Sequence, residues 1–159
     1  MVKKVILGFF ILALTLYYIK AEPKPSSAKD ELEQILSQHH GKVIYLDFWA
    51  SWCGPCRKSF PWMNRIQEEY AQQGFVVLSV NLDANESLAL NFLLENPANF
   101  EVIYDPKGDT AKHFSIKGMP SSLLIGRDGD INSAHTGFDT KLIETYQQKI
   151  EALLSHKTT

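Results

Sequence analysis

The feature that most constrains this chain is an apolar stretch that leads directly into a closely spaced pair of cysteines. Residues 43–49 are almost all apolar, β-branched or aromatic, which is typical of a strand covered on both faces. Cys53 and Cys56 follow, and the residues from Cys56 to about Gln73 have helical spacing. This pattern predicts a buried strand, a turn and a helix, with both cysteines where the turn meets the helix.

Strand-like and helical segments alternate along the rest of the chain, and a turn sequence at residues 127–129 indicates a hairpin near the end. We therefore expect one α/β domain at residues 29–159, with a mixed central sheet flanked by helices on both faces. The predicted strands are 43–49, 75–82, 101–104, 121–125 and 130–135, and the predicted helices are 30–38, 56–73, 87–95, 109–114 and 140–154.

The N-terminus differs from the rest of the chain. Two lysines precede an uncharged run at residues 5–19, and Lys20 and Ala21 follow it, as in an export signal. A helix of that run would span about 22 Å, less than the ~30 Å hydrocarbon core of a bilayer. We expect residues 1–21 to be a cleaved signal peptide or an N-terminal membrane anchor, and the proline-containing residues 22–28 to be a linker. Either outcome predicts a periplasmic or other extracytoplasmic protein, soluble after cleavage or anchored in the inner (cytoplasmic) membrane by residues 5–19.

Charge and cysteine content exclude several classes of protein. The net charge is −2 and the 16 Lys and Arg residues are dispersed, so we expect no nucleic-acid partner. Both cysteines lie in one motif, which leaves no structural disulfide framework. The five histidines show no paired metal-ligand spacing, so we expect no metal and no cofactor. A peroxidatic cysteine would favour threonine where Ala50 stands, and a structural disulfide or a chance pair is the remaining alternative.

The spacing of the two cysteines suits dithiol chemistry. One thiolate must attack a disulfide sulfur, and a second thiol must be near enough to resolve the mixed disulfide. The positive end of a helix dipole stabilises a thiolate at the helix N-terminus, which makes Cys53 the predicted attacker and Cys56 the predicted resolver. Gly54 and Pro55 separate them, and Trp52 offers a flat apolar rim for a substrate chain.

The run at residues 43–56, which ends Trp-Cys-Gly-Pro-Cys, closely resembles the thioredoxin signature. The later spacing is similar to that of the exported TlpA-like and ResA-like branch of that family. The resemblance implies a thioredoxin fold with an extra helix–strand insertion, here residues 87–104, before a cis-proline. It also implies that Pro120 is cis and lies opposite the cysteines, and that the Met119 backbone pairs with a bound substrate strand.

Asp47 lies six residues before Cys53, where thioredoxins carry a buried acid. Burial between apolar neighbours would raise its pKa and suit it to receive the proton of Cys56. The alternative is an aspartate with a structural hydrogen bond at the end of its strand. Many relatives in the branch carry a glutamate three residues after the second cysteine, whereas this chain has Ser59, so acid–base work is expected to fall on Asp47. The N-terminal β-hairpin common in the branch is replaced here by the short helix at residues 30–38.

The resemblance implies a monomeric thiol–disulfide oxidoreductase that reduces disulfides of exported proteins. Its own disulfide would be re-reduced by a membrane thiol reductase of the DsbD-like or CcdA-like kind. An oxidase or isomerase of disulfides is the second interpretation. A third, from another class, is a substrate-holding module whose thiols are incidental.

Overall fold

The computed structural model describes residues 25–156. The predicted signal or anchor at residues 1–21 and the first part of the predicted linker lie outside the described residues. None of the helices within 25–156 is long and apolar enough to cross a membrane. The helices are α1 (Ala28–Gln38), α2 (Gly54–Tyr70), α3 (Glu86–Glu95), α4 (Asp109–His113) and α5 (Ile143–Ser155), and the strands are β1 (Val43–Trp49), β2 (Phe75–Asn81), β3 (Glu101–Tyr104), β4 (Ser121–Ile125) and β5 (Ile131–Thr136).

The five strands form one mixed sheet in the order β3-β2-β1-β4-β5. β1 is parallel to β2 and antiparallel to β4, while β2 is parallel to β3 and β4 is antiparallel to β5. β1 is therefore the central strand, and every one of its residues is buried. This is the mixed sheet predicted from the alternating pattern, and the insertion is present as α3 followed by the edge strand β3.

Hydrophobic clusters cover both faces of the sheet. One cluster joins alternate residues of β1, including Tyr45 and Trp49, to α2, α3 and α5. This cluster also contains both cysteines. The other joins Leu46 and Phe48 of β1 to α1 and to residues around α4. Because side chains alternate between the faces of a strand, Asp47 lies on the same face as Tyr45 and Trp49.

The observed starts of three helices differ from the predicted ones, and a capping side chain lies at or shortly before each start. Helix α1 begins at Ala28, because the Ser27 side chain accepts a hydrogen bond from the Asp30 amide and caps it. Helix α2 begins at Gly54 rather than Cys56, because Cys53 is its N-cap. The last helix is preceded by a 3₁₀ turn at Thr140–Leu142 that the capping side chain of Asp139 begins. Periodicity alone does not locate such caps.

Candidate active site

Cys53 and Cys56 form a disulfide at the N-terminus of α2, with their Cα atoms 5.3 Å apart. Cys53 is the N-cap, and its sulfur accepts a hydrogen bond of 3.2 Å from the Cys56 amide. Cys53 is 4% exposed and Cys56 is fully buried. In the reduced state the same amide and the helix dipole would favour a thiolate on Cys53 over one on Cys56. The arrangement therefore places Cys53, the slightly more exposed of the two cysteines, at the helix N-terminus.

An exposed rim surrounds the disulfide. Trp52 is 71% exposed although it is a large aromatic side chain. Gly54 and Pro55 are exposed too, and Pro55 occupies the first turn of the helix, where a missing amide proton costs nothing. The three exposed residues flank Cys53 in the sequence, and Cys53 itself is buried. They lie where the sequence predicts substrate contact, and that contact stays a prediction.

A buried acid that sequence reasoning missed holds the loop before the cysteines. The Asp83 carboxylate accepts hydrogen bonds of 2.9 Å from both the amide and the hydroxyl of Ser51. It also accepts one of 2.8 Å from the Asn81 side chain. Asp83 is 2% exposed, so these bonds fix the chain just before Trp52 and Cys53. Its one sequence signal is its position just beyond the end of β2, beside the loop that follows β1.

Asp47 is fully buried in the centre of β1. Removal from water raises its pKa from 3.8 to about 7, and a hydrogen bond from Ser122 opposes that rise. The Ser122 hydroxyl donates to Oδ1 at 2.6 Å. Oδ2 is buried and finds no hydrogen-bond partner among residues 25–156. Near neutral pH this carboxyl can thus accept or release a proton, and it has one oxygen free to do so.

Ser59 lies one helical turn beyond Cys56 and is 1% exposed. Its hydroxyl donates to the Cys56 carbonyl at 2.8 Å, a local bond that serine commonly makes within a helix. Ser59 therefore satisfies the helix backbone. This chain therefore has no carboxylate three residues after the second cysteine, where the resemblance predicts a glutamate in many related reductases.

The peptide bond between Met119 and Pro120 is cis, as the resemblance implied. Pro120 is buried and Met119 is half-buried, packed against the cluster that contains both cysteines. The Pro120 carbonyl accepts a hydrogen bond of 2.7 Å from the Gly137 amide, and the Ser121 hydroxyl donates to the Gly118 carbonyl at 2.7 Å. These bonds tie the segment to the residue after β5 and to its own turn.

Within residues 25–156 no group of three or more His, Cys, Asp or Glu side chains is placed to hold a metal ion. An exposed ion pair beside the motif joins Arg57 to Glu95 at 3.3 Å, and the guanidinium also lies 4.9 Å from the centre of the Phe92 ring. It links α2 to the inserted helix α3. The cysteine pair is the reactive group that the structure shows at this site.

Comparisons with known proteins agree with this geometry. The family described as Redoxin matches residues 20–151. A thiol-disulfide oxidoreductase ResA of Bacillus thuringiensis is 32% identical over 116 residues, which cover 72% of this chain and 67% of that protein. A crystal structure of a protein assigned as thiol:disulfide interchange protein DsbE, from Chlorobium tepidum, matches with a TM-score of 0.74 and 52% identity, covering 76% of this chain and 85% of that one.

The exposed lipoprotein thioredoxin Etrx1 of Streptococcus pneumoniae matches with a TM-score of 0.65 and 28% identity, over 74% of this chain and 90% of that one. These likenesses confirm the predicted thioredoxin fold and the predicted dithiol chemistry of Cys53 and Cys56. Disulfide-containing molecules are accordingly the class of partner. The chain belongs to the Redoxin family and is a thiol–disulfide oxidoreductase related to ResA and DsbE.

Proposed function

We propose that this oxidoreductase works outside the cytoplasm as a reductase of disulfides in exported proteins. The observation that carries the proposal is the placement of Cys53 at the N-terminus of α2, with Cys56 buried behind it and an exposed rim in front. The likeness to an exposed lipoprotein thioredoxin supports the location, as does the export signal expected at residues 1–21. The Gly-Pro pair between the cysteines resembles that of reducing thioredoxins.

The proposed reaction begins with the reduced enzyme. The Cys53 thiolate attacks one sulfur of a substrate disulfide, the substrate S–S bond breaks, and one substrate thiolate leaves. Cys56 then gives its proton to Asp47 and attacks Cys53, which releases the second substrate thiolate and forms the Cys53–Cys56 disulfide. Two electrons have moved from the enzyme to the substrate. The structure corresponds to the oxidised enzyme at the end of this sequence.

Substrate binding is proposed for the surface around the disulfide. Trp52, Gly54 and Pro55 would contact the substrate chain beside Cys53, and the backbone of Met119 before Pro120 would pair with it as an added strand. The half-buried Met119 side chain packs on the hydrophobic cluster to which both cysteines belong, which supports the proposed position of this segment. Binding through backbone groups would accept many substrate sequences.

Re-reduction of Cys53–Cys56 requires an electron donor, and a membrane thiol reductase of the DsbD-like or CcdA-like kind suits an extracytoplasmic location. A donor thiolate would attack Cys53 and release Cys56 as a thiolate, and the donor's second thiolate would then attack the donor sulfur of the mixed disulfide and release Cys53. The same exposed rim would then serve both the substrate and the donor in turn. Binding of the two partners would be mutually exclusive.

The direction of electron flow is tested by the reduction potential. The oxidised full-length chain is equilibrated with thiol buffers of known potential, and the disulfide fraction is measured by alkylation. We expect a potential nearer that of thioredoxin, about −270 mV, than that of DsbA, about −120 mV. The protein should also reduce insulin with dithiothreitol as donor. A potential near the DsbA value, with oxidation of reduced substrates, would instead establish the oxidase or isomerase.

A further inference from the structure

A groove beside the cysteine motif separates the start of α2 from the inserted helix α3. It is lined by Ser51, Arg57, Leu88, Asn91, Phe92 and Glu95. The groove is open to solvent and has a volume of about 200 Å³. Sites for small molecules usually measure about 300–1,000 Å³. The groove therefore suits a single side chain better than a whole small-molecule ligand.

The groove lies next to both ends of the cysteine motif. Ser51 is two residues before Cys53, and Arg57 directly follows Cys56. The Arg57 amide also donates to the Cys53 carbonyl at 3.3 Å, within the first turn of α2. Two residues of chain span at most about 7 Å, which bounds the distance from Cys53 to the Ser51 end of the groove. A residue beside a substrate cysteine that is bonded to Cys53 covers a similar distance, so its side chain can reach the groove.

The floor and one wall of the groove are apolar. Phe92 forms the floor, and its ring centre lies 4.8 Å from that of Trp49 and 5.0 Å from that of Phe60. All three belong to the cluster that contains both cysteines, so the floor is held in place by packing. Leu88 on the wall is 48% exposed. A substrate side chain that covers Leu88 removes apolar surface from water, which favours an apolar side chain.

The two charged residues of the groove neutralise each other. Arg57 and Glu95 pair at 3.3 Å, and the guanidinium lies 4.9 Å from the centre of the Phe92 ring. A charged substrate side chain would meet one member of this pair as a like charge, whereas an uncharged one leaves the pair intact. Asn91 is exposed at the edge of the groove, where its amide can donate to and accept from a peptide backbone. These features favour an uncharged side chain of a polypeptide.

We propose that this groove binds one uncharged, apolar side chain of the substrate polypeptide, from a residue beside the cysteine that Cys53 attacks. The proposal rests on the reductase function proposed above and specifies its preferred substrates, which are protein disulfides with a large apolar residue next to the cysteine. Leu88 is then a specificity-determining residue. Small disulfides that do not extend to the groove react at the same sulfurs without its help.

The preference is tested with the reduced full-length chain, whose oxidation by disulfide-linked dimers of a short cysteine peptide gives a second-order rate constant. The residues that flank the peptide cysteine are leucine, glycine, lysine or glutamate. Hydroxyethyl disulfide is the small substrate that does not reach the groove. We expect the wild type to react about tenfold faster with the leucine peptide than with the glycine peptide, the lower end of the gain from an apolar group in a pocket, because the groove is open.

Leu88→Ala and Leu90→Ala are a matched pair of variants. The two leucines lie on α3 and are 48% and 49% exposed. Two positions rotate about 200° around a helix, and Leu90 does not line the groove. Leu88→Ala should lose most of the preference for leucine over glycine and keep the wild-type rate with hydroxyethyl disulfide. Leu90→Ala should behave as the wild type does with every substrate.

Glu95→Gln tests the role of charge, because it leaves Arg57 without its partner. The glutamate peptide should react about two- to fivefold faster with this variant than with the wild type, and the leucine peptide should react at an unchanged rate. Comparison of one peptide between two proteins removes differences in the reactivity of the peptides themselves. An unchanged rate with the glutamate peptide would contradict the exclusion of charge from the groove.

Equal wild-type rates with the leucine and glycine peptides, or equal losses in Leu88→Ala and Leu90→Ala, would overturn the groove as a binding site and leave the reductase standing. A parallel loss of Leu88→Ala toward hydroxyethyl disulfide would overturn it too, since Leu88 would then act on the cysteines and not on the substrate. Failure of the wild type with every disulfide, small or peptidic, would refute the proposed reductase itself.

Discussion

Replacement of Asp47 by asparagine should stabilise the oxidised protein at pH 8 and leave its stability unchanged near pH 4. Burial raises the Asp47 pKa from 3.8 to about 7, with the Ser122 hydrogen bond acting in the opposite direction. Between these pH values the folded protein holds a proton that the unfolded chain has released. Stability therefore falls as pH rises through this window, and above it the full cost of the buried carboxylate is present.

The size of the effect follows from the shift. About 3 pKa units at about 1.36 kcal/mol each give about 4 kcal/mol as an upper bound for the cost of ionised Asp47. The asparagine side chain has no charge to bury, and its carbonyl can still accept the bond from Ser122. Asp47→Asn should thus be more stable than the wild type at pH 8 by up to that amount, with the difference disappearing toward pH 4.

Urea unfolding of the oxidised proteins at pH 4, 6 and 8 measures this difference. Asp130→Asn is the matched control, because Asp130 is exposed in the β4–β5 turn, and its pH dependence should follow that of the wild type. The reasoning is refuted if Asp47→Asn and the wild type lose stability in parallel from pH 4 to pH 8. That result would mean that the buried carboxyl is solvated or paired in a way the structure does not contain.

The other predictions concern the groups around the cysteines and the start of the domain. Asp83→Ala leaves the Ser51 amide and hydroxyl without their acceptor, so it should cost about 1–3 kcal/mol in urea unfolding and lower kcat/KM for insulin reduction. Ser59→Ala removes a bond to the helix backbone and should leave the pH–rate profile for insulin reduction unchanged, whereas Asp47→Asn should slow turnover by up to ~10²-fold. A chain beginning at residue 25 should fold, and removal of Ser27 as well should cost about 1 kcal/mol in thermal or urea unfolding because α1 loses its cap.

The central part of the fold could be predicted because its sequence pattern has one structural reading. The nearly continuous apolar run at residues 43–49, interrupted only by Asp47, requires cover on both faces, and the structure places it as the fully buried central strand. The alternation of later segments, followed by a hairpin turn, predicts the mixed sheet that is observed. Cys53 and Cys56 could be predicted as a pair because only two residues separate them, so their proximity follows from the local sequence alone.

The supporting groups could not be predicted, because their roles arise from contacts between distant segments. Asp83 holds Ser51 across 32 positions of sequence, and Ser122 meets Asp47 across 75. Ser122 appears in the sequence as an ordinary polar residue of a short strand, and His135 as an isolated histidine. Only the pairing of β1 with β4 and of β4 with β5 places Asp47, Ser122 and His135 opposite one another. Strand register depends on the turns and on the alternation of side chains along several strands, so no short sequence motif predicts it.

The most direct test of the account is the capture of mixed disulfides by single-cysteine variants. Cys56→Ala and Cys53→Ala are each incubated, in reduced form, with a disulfide-containing protein, and the products are separated without reducing agent. We expect Cys56→Ala to accumulate a covalent complex through Cys53, because attack proceeds and resolution is missing. Cys53→Ala should form none at a comparable rate, since Cys56 is fully buried. Equal capture by both variants, or capture by Cys53→Ala alone, would contradict the assignment of attacker and resolver.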